Sequence, residues 1–304
     1  MYFSTALPLL AAGLASAAPV IEKRASQIND GVILNYALTL EHLEDNFYRQ
    51  GLSNFTEKDF ADAGYDSTFY NNIKKVSSDE TAHVDFITKA LKVTSLAAGV
   101  TPVQECTYSF GVTDVKSFLA TASVLEGVGV SAYLGAAADI MSKTYLTAAG
   151  SILTVEARHS SYIRGALKQV PFAQPFDAPL SYNEVYSLAS GFITGCPKEN
   201  PALPVKAFPA LAAAASGSEI KTGDTVTLQT PGYMLEGAKG QSVYAAFIAV
   251  TGPTFVEAKA VDGGYSVEIP EGFAGQTYVV LTGCKDVVSD DTVAAGPAII
   301  EISS

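Results

Sequence analysis

The sequence contains one thirteen-residue pattern twice, and this repeat decides the fold. The first copy reads ETAHVDFITKALK at residues 80–92, and the second reads EARHSSYIRGALK at residues 156–168. Both copies fit E-x-x-H-x-x-[FY]-I-x-x-A-L-K, with apolar residues at helical spacing. Three residues advance a helix by about 300°, so the Glu and His of each copy lie on one face, one turn apart. Each copy therefore predicts a helix that presents a carboxylate and an imidazole to the same side.

Each copy follows another predicted helix, which carries a Glu within an apolar stripe. Glu41 is followed by Tyr48 seven residues later, and Glu126 is followed by Tyr133 at the same distance. Seven residues return to nearly the same helical face. A carboxylate in an apolar stripe is costly to bury unless it is paired, protonated or bound to metal. The sequence thus predicts two helical hairpins of one design, each a Glu helix followed by a Glu-x-x-His helix.

Two such hairpins supply the ligand set of a di-metal carboxylate bundle. That site takes one Glu from each of two helices and a Glu-x-x-His unit from each of the other two. Four carboxylates balance two divalent ions, and two imidazoles add one nitrogen ligand per metal. The six predicted ligands are Glu41, Glu80, His83, Glu126, Glu156 and His159.

The predicted cofactor is a pair of Fe or Mn ions roughly 3.5–4 Å apart. Because each hairpin contributes the same three ligands, we expect each hairpin to favour one ion. Glu41, Glu80 and His83 would then favour the first ion, and the three later ligands the second, with carboxylates bridging the two.

Alternative interpretations remain open at positions near Glu41. Glu44 lies one turn later and is a rival ligand, but the Glu-x6-Tyr spacing shared with the later hairpin favours Glu41. Glu44 is then either a solvated group or a group beside the ligands. His42 lies about 100° away round the helix, so we predict that it does not bind metal. Tyr48 and Tyr133 are interpreted either as plain core residues or as residues that contact the ligands.

These helices resemble the ferritin-like superfamily, and in particular the secreted ferritin-like proteins of fungi with their plant desiccation-related relatives. The resemblance covers about residues 28–195 and is carried by four motifs. They are LEHLEDNFY at 40–48, DETAHVDF at 79–86, LEGVGVSAYLGAA at 125–137 and VEARHSSYI at 155–163. The resemblance implies a link to stress, starvation or late development, without a settled reaction.

Two classes of function follow from such a site. In the first, the protein is a redox enzyme whose Fe or Mn pair activates dioxygen or peroxide, with an oxidase, peroxidase or catalase-like outcome. In the second, it is a non-catalytic metal-binding or structural protein of the cell surface or cell wall. An open coordination position with a cleft to solvent would favour chemistry, and a closed site would favour structure. Iron storage in a closed shell fits a secreted chain with an added β-domain poorly.

The helical periodicity gives approximate boundaries for the bundle. The predicted helices span 28–50, 68–94, 113–142, 144–169 and 181–193. Gly51 is the expected end of the first helix, and Thr113 is the expected N-cap of the third. The short fifth helix is expected to begin with the capping box Ser181-x-x-Glu184.

The composition changes after the last predicted helix. Residues 197–216 contain four prolines and an Ala run, which predicts a linker or a strap over the bundle. Beyond it, alternating runs separated by Gly and Pro turns predict a small β-sandwich at 217–304. The predicted strands are 225–230, 242–250, 265–269, 277–282 and 298–302. The predicted fold is therefore an all-α four-helix ferritin-like bundle at 25–196 and a C-terminal all-β sandwich domain.

The first residues predict secretion. Residues 1–18 combine a short apolar run with small residues before a cleavage point, as in a signal peptide. Residues 19–24 then form a pro-segment that ends in the dibasic pair Lys23-Arg24, so the mature chain is expected to start at Ala25. We expect a secreted protein, extracellular or in the cell wall. No other apolar stretch is long enough for a membrane span.

The cysteines and the charge complete the prediction. Cys106 and Cys196 flank the later helices, and a bond between them would contribute about 4 kcal/mol or more by loop closure. Pairings that involve Cys284 remain open. Asn54-Phe55-Thr56 is a glycosylation sequon, if exposed. The formal net charge of −12 argues against nucleic acid as a partner, since long-range electrostatics would repel it. The sequence does not define an oligomeric state.

Overall fold

The computed structural model describes residues 28–93, 100–215, 219–235 and 242–303. The predicted signal peptide, the pro-segment and the start at Ala25 lie outside these described residues. Within them, a helical region is followed by an all-β region, as the sequence predicts.

Four long helices and two short ones form the helical region. They are α1 Asp30–Asn54, α2 Glu57–Asp62, α3 Ser67–Val93, α4 Val115–Ala136, α5 Lys143–Ala166 and α6 Tyr182–Ser190. The start of α1 meets the end of α3, where Leu38 packs with Leu91, and Phe47 packs with Ile73 at the opposite ends. α4 and α5 form a second antiparallel hairpin in the same way. The predicted four-helix bundle is confirmed.

Two predicted helix ends are wrong. α1 continues through Gly51, because this glycine is buried under the ring of Phe118 from α4. A Cβ at Gly51 would lie 2.1 Å from a Phe118 ring carbon, so glycine permits the close approach of the two helices. The N-cap of α4 is Asp114, whose carboxylate accepts from the Ser117 amide, and not Thr113. The predicted capping box at Ser181 does open α6.

The all-β region is one antiparallel sheet of seven strands that curls into a sandwich-like body. Its strands are β3 Ala212–Ala215, β4 Thr225–Gln229, β5 Val243–Phe247, β6 Thr254–Val261, β7 Gly264–Glu268, β8 Gly275–Thr282 and β9 Val293–Ile302. Their order is β3-β4-β7-β6-β5-β8-β9. β6 pairs with β5 through 254–258 and with β7 through 259–261, so it turns from one layer into the other. Ile220 bridges to Ile302 and brings the two edges together.

The sheet begins earlier than the sequence indicates. β3 lies inside the predicted linker 197–216, where its Ala run pairs with β4 along its whole length. Two further short strands, β1 Thr107–Tyr108 and β2 Ile193–Gly195, pair beside the bundle.

The sheet packs directly on the second helical hairpin. The hydroxyl of Tyr278 on β8 donates to the carbonyl of Gly127 on α4 at 2.8 Å. Gln276 Nε2 donates to another α4 carbonyl, that of Val124, at 3.2 Å. Arg164 of α5 donates two bonds to Glu301 of β9, at 2.9 and 2.8 Å. The outer face of α4 and the end of α5 are therefore covered by strands.

This packing accounts for the hydropathy of α4. Contrary to the expectation that no further stretch is long enough for a membrane span, the segment Val115–Asp139 is long and apolar enough by length and composition alone. However, most of the apolar stretch is buried inside the protein. α4 contacts α1 and α5 on one side and α6 on the other, with Tyr278 against its outer face. A helix that is apolar all round needs burial on every side.

Candidate metal centre

The six predicted ligands meet inside the four long helices. Glu41 comes from α1, Glu80 and His83 from α3, Glu126 from α4, and Glu156 and His159 from α5. The four carboxylates are 0–1% exposed, and the two histidines are 8% and 6% exposed. Their ligand atoms form two overlapping groups, each within 4.8 Å. The first group is Glu41, Glu80, His83 and Glu156, and the second is Glu80, Glu126, Glu156 and His159.

Glu80 and Glu156 are shared by both groups, because each reaches across the centre. Oε2 of Glu80 lies 3.2 Å from Nδ1 of His83, and its Oε1 lies 2.9 Å from Nδ1 of His159. Oε1 of Glu156, on the other hairpin, lies 3.1 Å from Nδ1 of His83. The Glu residues of the two Glu-x-x-His units are thus the ones placed to bridge two ions, if two were bound.

Glu41 and Glu126 each belong to one group only, and we call them the terminal carboxylates. Oε2 of Glu41 lies 3.3 Å from Nδ1 of His83, and Oε2 of Glu126 lies 3.4 Å from Nδ1 of His159. Each terminal carboxylate therefore sits beside one imidazole only, at opposite ends of the cluster.

Many of these ligand atoms lie close together without being hydrogen-bonded to one another. Within the described residues, six buried ligand atoms have no hydrogen-bond partner: Glu41 Oε2, Glu80 Oε1, Glu126 Oε2, both Glu156 oxygens and His159 Nδ1. Nδ1 of His159 is 2.9 Å from Oε1 of Glu80, yet the pair lacks hydrogen-bond geometry. Buried polar atoms in proteins are almost always hydrogen-bonded, so six such atoms without partners at one place indicate a binding site. Two divalent cations fit a donor set of four carboxylates and two imidazoles.

Two tyrosines hold the terminal carboxylates across the hairpins. Tyr48 of α1 donates to Oε1 of Glu126, and Tyr133 of α4 donates to Oε1 of Glu41. Burial, and then the charge of the bonded carboxylate, raise the pKa of each tyrosine well above its usual value. Each hydroxyl therefore stays protonated and leaves Oε2 of its Glu for the cluster. The tyrosines contact the ligands, but each contacts the Glu of the other hairpin.

Burial dominates the protonation of the carboxylates. It raises the pKa of Glu41 to about 7, although the nearby imidazole of His83 acts against it. It also raises the pKa of Glu126, and that of Glu156 well above its usual value. At Glu80, burial acts in the same direction, but the close contacts with the two imidazoles outweigh it and lower the pKa.

The histidines respond in the opposite sense. Burial lowers the pKa of His159, but its contacts with Glu126 and Glu80 outweigh burial and raise that pKa to about 11. Burial also acts to lower the pKa of His83, but this pKa is raised even more strongly, because three carboxylates surround its Nδ1. The cluster without metal therefore keeps both imidazoles charged and holds additional protons on its carboxylates, and metal binding must displace those protons.

A fifth carboxyl group lies beside the cluster. The interpretation of Glu44 as a solvated group is wrong, because its side chain is 4% exposed. Burial, followed by the charge of Glu156, raises its pKa well above the usual value. It faces Gly129 of α4, where a Cβ would lie 2.9 Å from Glu44 Oε1 and 3.3 Å from Glu156 Oε2. Glu44 is thus a group beside the ligands.

Asp79 is a residue beside the cluster that the sequence reasoning missed. Its Oδ2 lies 3.5 Å from Nε2 of His159, whose Nδ1 faces the cluster. A carboxylate on the outer nitrogen fixes the tautomer and the orientation of a ligating imidazole. The available signal was the acidic residue directly before Glu80. His42 lies outside the cluster, with Nε2 3.3 Å from the Val103 carbonyl.

The remaining predicted positions lie at the periphery. Cys106 and Cys196 form a disulfide with a Cα separation of 4.3 Å, next to the β1–β2 pair. Cys284 is free and partly buried. Asn54 is exposed at the end of α1.

The comparison with known families defines the class of the helical half. Residues 29–169 match the model of the ferritin-like domain. Together with the four-helix fold, this match shows that the chain carries a ferritin-like domain, with a buried carboxylate and histidine cluster at its centre.

One particular relative is similar over a longer stretch. Protein rds1 of Schizosaccharomyces pombe is 28% identical over 178 residues, which cover 59% of this chain and 42% of that protein. The match therefore spans less than half the length of this relative.

Proposed function

We propose that the ferritin-like domain binds two Fe or Mn ions through the six clustered side chains. The supporting observation is the set of buried carboxylate and imidazole atoms without hydrogen-bond partners. His83 and Glu41 would serve one ion, His159 and Glu126 the other, and the two shared glutamates would bridge them. This assignment refines the expected division by hairpin, since each bridging Glu serves both ions.

We further propose that the protein is an oxidoreductase of oxidase or peroxidase type. A bound Fe or Mn pair supplies electron exchange with dioxygen or peroxide. The chain's own contribution is to exclude water by complete burial of the carboxylates and to fix their orientation through Tyr48 and Tyr133. Glu44 favours chemistry over a purely structural role, because it adds an acidic group that the ligand set does not require.

The alternative is a metal site that only stabilises the bundle, in a structural or metal-binding protein of the cell surface or cell wall. The complete burial of all four carboxylates favours this alternative, since structural metal sites are closed. The two functions differ in their response to oxidants, which only the redox enzyme consumes.

We also propose that the protein is secreted and glycosylated at Asn54, and acts in stress or development as the family resemblance implies. The Cys106–Cys196 disulfide supports secretion, because such bonds persist mainly in oxidising compartments. The exposure of Asn54 makes its side chain accessible to a glycan.

Metal analysis of the natively produced protein, together with its optical spectrum, tests the proposal. We expect close to two Fe or Mn ions per chain and a spectrum that changes on reduction and reoxidation. Protein that binds only zinc would support the structural role. Protein that binds no transition metal would contradict both functions.

A further inference from the structure

An apolar cavity of about 130 Å³ lies beside the metal cluster, between α1, α4, α6 and β9. Its lining is apolar except for Glu44, the one ionisable residue among those that line it. Leu188, Phe192 and Ile299 line the cavity and are partly exposed. The cavity therefore has partly exposed residues on one side and the buried Glu44 on another.

The inner end of the cavity lies next to the ligand cluster, with Gly129 and Glu44 between them. Gly129 and Glu44 both line the cavity. The point where a Gly129 side chain would begin lies 2.9 Å from Glu44 Oε1 and 3.3 Å from Glu156 Oε2. Only the absence of a side chain at position 129 keeps this space between the two carboxyl groups open. The cavity thus comes to within one residue of a bridging carboxylate.

The walls select for a small molecule with few hydrogen-bonding groups. Burying a polar group without a hydrogen-bond partner is unfavourable, and burying a charge is more unfavourable still. Hydrogen peroxide has two hydroxyl groups, and this cavity offers one carboxyl group to receive them. Dioxygen needs no hydrogen bond, and it is small enough for the space.

We propose that this cavity is the route by which dioxygen reaches the metal pair, with Gly129 and Glu44 as its inner gate. The inference rests on the proposed redox function and deepens it by naming the oxidant and its path. Because Ile299 of β9 forms part of the outer wall, the β-region helps to build the route.

A second apolar cavity offers an internal comparison. It measures about 40 Å³ and is lined by Phe86, Tyr133 and Tyr145 among others. Tyr133 separates it from the cluster, since the hydroxyl of this tyrosine is bonded to Glu41. The smaller volume and the intervening ring make it the poorer path.

Xenon binding to crystals of the metal-free protein tests the cavity independently of any activity. We expect xenon beside Gly129 in the wild type. Leu188→Trp places a large ring at the partly exposed mouth and should abolish this xenon site. The matched control is Leu146→Trp, at a half-buried helical position outside both cavities, which should retain it. Xenon confined to the cavity at Tyr133 would overturn the inference.

Oxidant consumption by the iron-loaded protein tests the route. Leu188→Trp should consume dioxygen at least about tenfold more slowly than Leu146→Trp, with equal iron content and an unchanged rate with hydrogen peroxide. Equal dioxygen rates in the two variants would overturn the route and leave the proposed function intact. Wild-type protein that binds no iron would instead overturn the proposed function, and the inference with it.

Discussion

The two helical hairpins supply equivalent ligands but unequal surroundings. Each provides a terminal Glu and a Glu-x-x-His unit. Each also provides a tyrosine whose hydroxyl donates to the terminal Glu of the other hairpin. Three residues after the terminal Glu, however, the first hairpin has Glu44 and the second has Gly129. Because Gly129 has no side chain, there is room beside it for the buried carboxyl group of Glu44. The repeat therefore specifies the ligands, and a departure from the repeat creates the additional acidic group.

A second departure concerns the histidines. Asp79 precedes Glu80, whereas Val155 precedes Glu156 at the equivalent position. Nε2 of His159 consequently faces a carboxylate, and Nε2 of His83 faces none among the residues that the structure describes. The two proposed ions would share bridging ligands but differ in the basicity of their imidazoles. Comparison of variants in the two hairpins can separate the symmetric part of the site from the asymmetric part.

The largest expected effect is symmetric. Glu80→Ala and Glu156→Ala each remove a carboxylate shared by both groups, so each should reduce the metal content from about two ions to none. Loss of a residue that is hydrogen-bonded to a metal ligand already lowers metal affinity by about 10–100-fold. Loss of a bridging ligand should lower the affinity further. Metal content per chain after native purification measures the effect. The control is Asp85→Ala, at an exposed position of α3. Two ions retained in either Glu variant would contradict the assignment.

The next effect is the pH dependence of the metal-free protein. The pKa of Glu41 is raised to about 7 and that of His159 to about 11, from ordinary values of 4.5 and 6.5. The folded state then binds more protons than the unfolded state above about pH 4.5, so stability falls as pH rises. Between about pH 5 and 8 the melting temperature should drop by roughly 5–10 °C.

Metal should reverse this trend, because the ions take the place of the protons. The gain in melting temperature on metal addition should therefore grow from about pH 5 to 8. Thermal unfolding of metal-free and metal-loaded protein across this range measures both trends. A metal-free protein that becomes more stable toward pH 8 would show that the cluster does not hold these protons.

A smaller and asymmetric effect is expected at Asp79. Asp79→Asn removes the carboxylate from Nε2 of His159. It should lower the affinity for one of the two ions by roughly tenfold and leave the affinity for the other unchanged. Competition with a chelator resolves the two affinities. Asp85→Asn, on the exposed face of the same helix, should alter neither affinity. Equal weakening of both ions would indicate that the two halves are not separable in this way.

The smallest effect concerns the strand cover of the second hairpin. Tyr278→Phe removes the hydroxyl that donates to the Gly127 carbonyl and should cost about 1 kcal/mol of unfolding free energy, with metal content unchanged. Denaturant unfolding measures this loss. Tyr244→Phe, in the same region, is the control, since its hydroxyl makes no hydrogen bond within the described residues. Equal losses in both variants would argue against a specific contact between strand and helix.

The ligand cluster could be predicted because helical periodicity fixes which residues share a face. The Glu-x-x-His repeat and the Glu-x6-Tyr spacing selected residues that the structure brings together. The partners of the tyrosines could not be predicted, because they depend on packing between helices. Tyr48 shares a helix face with Glu41, yet it is bonded to Glu126.

Other features escaped prediction for related reasons. Glycine is common at the C-terminal ends of helices, which suggested an end at Gly51. A tertiary contact with Phe118 instead keeps this residue inside α1. β3 consists only of Ala, and β6 exposes polar residues such as Glu257 and Lys259, so neither shows a clear alternation of apolar residues. Glu44 lies in a stretch that looks polar, and its burial depends on a glycine on another helix.

The order of synthesis gives the cover of α4 a consequence for biogenesis. The bundle helices leave the ribosome first, whereas β8, which carries Tyr278, follows about 140 residues after α4. At about 5–20 residues per second, that interval is on the order of ten seconds. During this time the apolar outer face of α4 lies against water, since the strands that cover it do not yet exist. The nascent chain therefore presents its most apolar helix without this cover until the strands of the β-region have been made.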